Sequence, residues 1–363
     1  MTKSVIDWVP RLNPLLRVGP PRWNGTAIVT DIGIDGEERL IEIGLAERCV
    51  LDEVDGSRDV STIASELSAK GMPVDTTRIV GVLNRFAYVG AVERPFSMKA
   101  GLADIDWAAN EGQRVRPDQI AGAADSGAGL GLWRKLTFLA HPVVFGILVV
   151  AGIAGAAFLA INLSDALATV LDATVWQAIL AGVAAVVWTG AVTMLHESGH
   201  GALFHHESTR SPFLALTRFG LILMPNTHMP GFSLLGARER ARVLAAGPLV
   251  SMVFAALPVV LFVTVDEPQV RIIAAMCMCC DALIIALGIS PFPNTDVTRL
   301  IEAWVGVDQL QAVAFRTLVG KYSLPAGLPL RSKVAIRLYP VLLLVTIALW
   351  LAVIVWAARL ILN

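Results

Sequence analysis

The motif His-Glu-Ser-Gly-His occupies residues 196–200 and follows an uncharged run over residues 173–195. The i, i+4 spacing of His196 and His200 places both imidazoles on one helix face, the geometry that two ligands of a tetrahedral zinc ion need. Glu197 stands beside them and is suited to be a general base rather than a ligand. Because polar side chains are costly in a membrane-spanning helix and are usually functional there, the motif predicts a zinc-dependent hydrolytic site.

A third ligand is expected, since a catalytic zinc ion usually has three protein ligands. Asp296 follows the fourth long apolar run and two prolines, Pro291 and Pro293, which break the helix and could aim the carboxylate back towards the histidines. We therefore expect one Zn2+ per chain, held by His196, His200 and Asp296. A helix-end or surface carboxylate is the alternative interpretation of Asp296.

Three further polar residues could support the metal or contact a substrate. Asp281 lies within an apolar run, and it either hydrogen-bonds a ligand histidine or is a protonated structural group. His228 could stabilise an oxyanion or contact substrate, and otherwise it is an ordinary loop histidine. Asn294, two residues before Asp296, is a candidate for the same supporting roles.

Five apolar runs are long enough, at about 20 residues, to cross a bilayer as helices. Asp281 is the only charged residue inside them. Phe213–Met224 is apolar but short and broken by Arg218, which predicts a re-entrant or interfacial segment packed against protein. The predicted fold is mainly α, a polytopic membrane helix bundle with five spans and this extra segment. The runs are Leu136–Leu163, Ala173–Leu195, Val243–Val265, Ile272–Ser290 and Leu338–Ala358.

Basic residues are distributed unevenly between the loops. They precede the first and last runs and are frequent between the second and third, whereas the loop between the first and second has none. By the positive-inside rule, the N-terminal part is cytoplasmic and the C-terminus lies outside a bacterial-type cell membrane. This orientation brings the ends of the second and fourth runs, with His196, His200 and Asp296, to a similar depth.

Charged residues make up only 16% of the chain, but 33 of the 59 lie within residues 1–131. That part has 14 basic and 19 acidic residues, which predicts an acidic soluble domain and argues against a nucleic-acid partner. The four cysteines are expected to be small hydrophobic residues without a disulfide framework. The N-terminus has no apolar region, so we expect no cleavable signal peptide.

Three parts are expected along the chain. Residues 1–95 should form a small winged-helix α+β domain, with a hairpin that turns through Gly33 and Gly36. Residues 96–131 should be a flexible linker, and residues 132–363 the membrane domain. The predicted strands and helices of the first part are Thr26–Thr30, Leu40–Ile43, Leu45–Val54, Val60–Ala69 with Asp59 as N-cap, Thr76–Tyr88 and a final strand Ala91–Glu93.

The first part resembles the PqqD-like family. The resemblance lies in the run VLDEVDG at 50–56, the run VSTI at 60–63 and the apolar spacing over 82–92. It implies recognition of a leader peptide, which adds as an extra strand to the edge of the sheet. A DNA-binding winged helix and a structural cap are the alternatives, and the acidic balance argues against the former.

The membrane part resembles the site-2 protease class of intramembrane zinc metalloproteases, in the branch with a PqqD-like N-terminal domain. The HESGH box matches the zinc box of that class, LAAGP at 244–248 matches its Ala-Gly-Pro element, and PFPNTD at 291–296 matches its Asn-Pro to Asp-Gly element. The resemblance implies that His196, His200 and Asp296 are the zinc ligands and that Glu197 is the catalytic base. Ser290 and Val297 stand where the class usually has Asn and Gly, which puts the geometry at Asp296 in doubt.

Together the resemblances imply an intramembrane zinc endopeptidase that removes the leader of a ribosomally made precursor peptide during natural-product maturation, similar to daptide-type maturation proteases. The expected partners are the precursor or leader peptide and the lipid bilayer; the sequence does not indicate an oligomeric state. One alternative is a regulatory protease of a membrane-anchored anti-sigma factor. Another is a non-catalytic peptide-binding or immunity protein, which the intact Glu197 disfavours.

Overall fold

The structure is a computed structural model that describes residues 8–93, 135–219 and 222–362, apart from residues 36, 38 and 209. These residues form two compact units. The first unit contains residues 8–93 together with Pro230–Gly236, and the second contains the others. The predicted linker over residues 96–131 lies outside the described residues.

An antiparallel sheet of four strands forms the base of the first unit: β1 (Leu16–Val18), β2 (Arg22–Trp23), β3 (Ile28–Ile34) and β4 (Leu40–Gly44). β1 and β2 pair with one edge of β3, and β4 pairs with the other. The predicted turn at Gly33 is wrong, because Gly33 pairs with both Arg17 and Leu40 inside β3. The predicted strand at 91–93 is reduced to an isolated bridge between Leu12 and Val92.

Three helices complete this unit: α1 (Leu45–Asp52), α2 (Val60–Ala69) and α3 (Thr76–Tyr88). The carboxylate of Asp59 accepts the N–H of Thr62 at 2.8 Å, as expected of an N-cap, and Asp75 caps α3 in the same way. α1 ends two residues before its predicted end. The helices and the sheet share one apolar core, whose fully buried members include Ile32, Ile43, Ile63, Leu83 and Phe86.

The second unit is helical apart from one hairpin, and five of its helical segments are long and apolar enough to cross a membrane, as predicted. They cover Pro142–Leu171, Val175–Glu207, Ala237–Thr264, Pro268–Ile289 and Leu330–Val355. By length and composition the chain is therefore a multi-pass membrane protein. The helices are α4 (Pro142–Leu171), α5 (Val175–Glu207), α6 (Ala237–Phe254), α7 (Ala256–Thr264), α8 (Pro268–Ile289), α9 (Asp296–Val305), α10 (Leu310–Leu318) and α11 (Leu330–Leu362).

The first spanning helix begins and ends later than predicted. A short 3-10 helix, Thr137–Ala140, precedes it, and Pro142 is its first residue. At that position the missing N–H of proline costs no helical hydrogen bond. α4 then continues to Leu171, so that Asp165, beyond the predicted end at Leu163, lies within the helix.

The segment predicted to be re-entrant or interfacial belongs to a β-hairpin, which the sequence analysis did not predict. β5 (Phe213–Phe219) and β6 (Ile222–His228) are antiparallel, with Leu214 opposite Thr227. Pairing of this kind satisfies backbone N–H and C=O groups, which non-helical chain at membrane depth requires. The hairpin lies between α5 and α6 in sequence, and β6 contacts α5.

Small residues bring the helices around the His196–His200 motif into close contact. A Cβ on Gly199 of α5 would lie 3.0 Å from the carbonyl oxygen of Ala246 on α6. A Cβ on Gly152 of α4 would lie 3.2 Å from the carbonyl oxygen of Leu249, also on α6. Membrane helices pack closely through such residues, and here the packing places the motif on α5 directly against α6.

Candidate metal centre

Three donor atoms from α5 and α9 converge on one point. Nε2 of His196 lies 3.1 Å from Nε2 of His200 and 3.1 Å from Oδ2 of Asp296, while Nε2 of His200 lies 3.4 Å from Oδ1 of Asp296. Zinc in tetrahedral coordination, with ligand distances of about 2.0–2.1 Å, keeps its donors about 3.3 Å apart. The three residues that the sequence predicts as ligands therefore have the spacing that zinc needs.

The second nitrogen of each imidazole has a partner on α6. Nδ1 of His200 lies 2.7 Å from the carbonyl oxygen of Val243, which can only accept a hydrogen bond. Nδ1 therefore carries the hydrogen, and Nε2 keeps the lone pair that a metal needs. Nδ1 of His196 lies 2.9 Å from Oγ of Ser251, a hydroxyl that can accept the corresponding N–H. Both rings are thus oriented with Nε2 towards the shared point.

Gly247 leaves open the space between the two imidazoles. A Cβ built on this residue would lie 2.7 Å from Nε2 of His196 and closer still to Nε2 of His200. Any side chain here would collide with the Nε2 atoms of both imidazoles. Val243, Gly247 and Ser251 recur every four residues, so one face of α6 supplies the partners of both rings and the space between them.

Asp296 is placed by the turn that precedes α9. Thr295 caps this helix by accepting the N–H of Thr298, which leaves Asp296 in the first helical turn, where the helix dipole stabilises a carboxylate. Burial raises the pKa of the Asp296 carboxyl, but hydrogen bonding to His196 and His200 outweighs burial and holds the pKa below its usual range.

The two departures from the class pattern are accommodated locally. Val297 is helical in α9, where no positive φ is required, and Asn294 takes the left-handed conformation instead, with φ 62°. Oγ of Ser290 donates to the carbonyl oxygen of Ala286 and accepts Nε1–H of Trp350 at 3.0 Å. These contacts hold the connection between α8 and α9, so Asp296 reaches the histidines without the usual Asn and Gly.

Glu197 is held by the neighbouring hairpin. The backbone N–H of Thr227 in β6 donates to Oε2 of Glu197 at 2.6 Å, and Oγ1 of Thr227 donates to the backbone oxygen of Glu197 at 2.8 Å. Glu197 is adjacent to His196 in the chain but contributes no donor to the cluster of three ligand atoms. Its carboxylate is therefore held by a separate element, the β5–β6 hairpin.

The three supporting candidates lie in different surroundings. Asp281 accepts Nε1–H of Trp188 at 2.9 Å, whereas the ligand histidines bond through Nδ1 to α6. His228 ends β6, with its ring centroid 4.6 Å from that of Phe213. Asn294 is exposed in the turn before α9. The structure therefore places none of the three candidates among the hydrogen-bond partners described for the ligand side chains.

Sequence reasoning missed Ser251, Gly247 and Thr227 as parts of the site. The four-residue spacing of Gly247 and Ser251 on an apolar helix is a signal that could have identified the first two. Nothing local distinguishes Thr227, because its role depends on the pairing of a hairpin and on contact with α5.

The chain was compared with family models, with curated proteins and with solved structures, and none of them matches. The functional interpretation therefore rests on the chemistry and geometry of the residues and on the motif resemblances in the sequence.

Proposed function

We propose that this chain is an intramembrane zinc endopeptidase. One observation carries the proposal: Nε2 of His196, Nε2 of His200 and a carboxylate oxygen of Asp296 converge, Gly247 leaves open the space beside the two imidazoles, and Glu197 follows His196 in the chain. A structural zinc site normally has four protein ligands, whereas a catalytic site has three and leaves one position open. Three donors with an adjacent carboxylate favour the catalytic type.

Peptide-bond hydrolysis then follows from the chain's own groups. Zinc bound by the three ligands would supply Lewis acidity, which acidifies water and polarises the scissile carbonyl. Glu197 takes a proton from the attacking water as its oxygen bonds to the carbonyl carbon. As the C–N bond breaks, Glu197 gives that proton to the leaving nitrogen. Because Thr227 donates to Oε2, we assign the proton transfer to Oε1.

The proposed substrate is a ribosomally made precursor peptide whose leader is removed. The basis of this proposal is the resemblance of the first unit to PqqD-like domains. We assign to the first unit a winged-helix fold and the capture of the leader by strand addition. The described part of the chain pairs β4 with β3 on one side only, so the outer edge of β4 is suitable for an added strand. We assign this unit to the cytoplasmic side from the distribution of basic residues.

The first test asks whether zinc and Glu197 are both required. The full-length protein in detergent should bind one zinc per chain, and co-expression with precursor peptides encoded beside its gene should give one defined cleavage product by mass spectrometry. Glu197→Gln should keep the zinc and lose about 10²–10⁴-fold in rate, the usual contribution of a general base. Unchanged processing by Glu197→Gln would show that the chain is not this kind of protease.

The second test separates substrate classes. A precursor without its leader should be cleaved less efficiently, and excess free leader peptide should inhibit cleavage of the intact precursor. Equal cleavage with and without the leader would contradict leader capture while leaving the zinc endopeptidase assignment standing. Cleavage of a membrane-anchored anti-sigma factor in place of every precursor would favour a regulatory protease.

A further inference from the structure

A short stretch between β6 and α6 belongs to the first unit rather than to the second. Pro230–Gly236 clusters with residues 8–93, although the chain on both sides of it is part of the second unit. The stretch begins two residues after β6 ends at His228, and it contains a single 3-10 turn, Phe232–Leu234. Gly231 starts that turn in the left-handed conformation, with φ 76°.

This stretch meets the sheet of the first unit through a backbone contact at Gly19. The N–H of Gly19 donates to the carbonyl oxygen of Asp31 in β3 at 2.8 Å. A Cβ at Gly19 would lie 2.5 Å from the carbonyl oxygen of Ser233, so only glycine permits this approach. A cavity of about 510 Å³ lies beside the contact, between Leu234 and apolar residues such as Val18 and Ile28.

The N-terminal end of the same stretch follows the strand that contacts the proposed catalytic base. Thr227, six residues before Ser233, makes both of the hydrogen bonds to Glu197 described above. Only five residues therefore separate Ser233 from the residue that holds the carboxylate. No other described hydrogen bond from β6 reaches Glu197.

We propose that the first unit positions Glu197, through the docking of Pro230–Gly236 at Gly19, in addition to any role in leader capture. The proposal rests on the proposed function, in which Glu197 is the base. Gly19, Ser233 and Thr227 are positioning residues, since none of them touches the converging donor atoms. In this arrangement the proteolytic rate depends on the first unit even for a substrate without a leader.

Amide hydrogen exchange on the zinc-loaded full-length protein tests the proposal without any substrate. Gly19→Ala should displace Ser233 and speed exchange at the Thr227 amide by about tenfold or more, because the strand that holds it opens more often. The control is Gly81→Ala in α3, where an added Cβ meets nothing within 4 Å and should leave this exchange unchanged. Unchanged exchange over residues 222–229 in Gly19→Ala would overturn the proposal.

A second variant covers the case in which Gly19→Ala disturbs the sheet itself. Leu234→Ala changes the docking stretch and leaves residues 8–93 intact, and it should also speed exchange at Thr227. Faster exchange confined to residues 8–93 in both variants would reject the positioning role.

Kinetics on a precursor cleaved by the wild type separate this proposal from the proposed function. Both variants should lower kcat with little change in KM or in leader affinity, and with zinc content near one per chain. If Glu197→Gln is inactive but both variants keep wild-type kcat, the endopeptidase assignment stands and the positioning role fails. If Glu197→Gln is fully active, the proposed function itself fails.

Discussion

The metal centre and the Asp281–Trp188 pair both use α5, yet their polar atoms have different surroundings. At the centre, three donor atoms face one another at 3.1–3.4 Å, and each imidazole has a further partner on its other nitrogen. Asp281 has one partner, Nε1 of Trp188, while its Oδ1 is buried without a hydrogen bond from any described residue. Trp188 precedes His196 by eight residues, or about 12 Å of helix.

This difference refines how an ionisable residue within a span is interpreted. Such a residue is usually interpreted as functional, and this criterion gives Asp281 and His196 the same interpretation. The structure distinguishes them by convergence: several donors that share one open point can bind a ligand, whereas one carboxyl paired with an indole joins two helices. The predictions below test whether this distinction holds, from the largest expected effect to the smallest.

Gly247→Ala should have the largest effect on the centre. Its methyl group would fill the space between the imidazoles, so bound zinc should fall below about one tenth of an equivalent per chain. Metal analysis of the purified protein measures this. Gly190→Ala on α5, where an added Cβ meets nothing within 4 Å, is the matched control and should retain the metal. Full zinc content in Gly247→Ala would place the metal elsewhere.

Ser251→Ala should weaken the centre without abolishing it. Loss of the hydroxyl beside Nδ1 leaves His196 free to rotate, and changes of this kind lower metal affinity by about 10–100-fold. Competition with a zinc chelator gives the affinity. Ser198→Ala is a suitable control, because Ser198 on α5 is also buried and, among the described residues, donates to the carbonyl oxygen of Met194 in its own helix. Equal affinities in the two variants would remove Ser251 from the site.

Asp281→Asn should leave zinc affinity and cleavage near wild type, because the amide oxygen can still accept from Trp188 and the residue lies away from the donors. We expect the melting temperature in detergent to change by no more than about 4 °C. A tenfold loss of zinc affinity would instead show that Asp281 supports metal binding, and the distinction between the two regions would be wrong.

Glu302 on α9 is a partly buried carboxyl outside the spanning segments. Burial raises its pKa to about 7, against the opposing hydrogen bond from the N–H of Leu310. The ionised form therefore costs stability, and this cost grows as the pH rises from the ordinary value of 4.5 to about 7. Glu302→Gln should gain about 2–4 °C in melting temperature over wild type at pH 8 relative to pH 5. An equal difference at both pH values would contradict the assignment.

The convergence of His196, His200 and Asp296 was predictable because its signals are local or follow from membrane topology. The spacing of His196 and His200 is a property of one helix, and the common depth of Asp296 follows from counting spans and basic residues. The five spans are likewise evident from apolar length. The capped helix α2 was predicted with its observed bounds because Asp59 and the apolar spacing agree on where it begins.

The remaining features depend on contacts between distant segments. Gly33 has the local chemistry of a turn, but pairing on both sides keeps it inside β3. The hairpin of β5 and β6 is a short apolar segment in sequence, and only its pairing reveals two strands. Thr227 and Ser251 serve the site through partners 30 and 55 residues away along the chain. Spacing along one element contains no information about such contacts.

The close packing of α5 on α6 also determines which ions fit. Both histidines stand on α5, their second nitrogens are bonded to α6, and Gly199 already brings the two backbones almost into contact. Calcium needs six or more oxygen ligands at about 2.3–2.6 Å, a shell that this set of two nitrogens and one carboxylate cannot supply. The packing of α5 on α6 thus fixes a donor set that suits a small, four-coordinate cation.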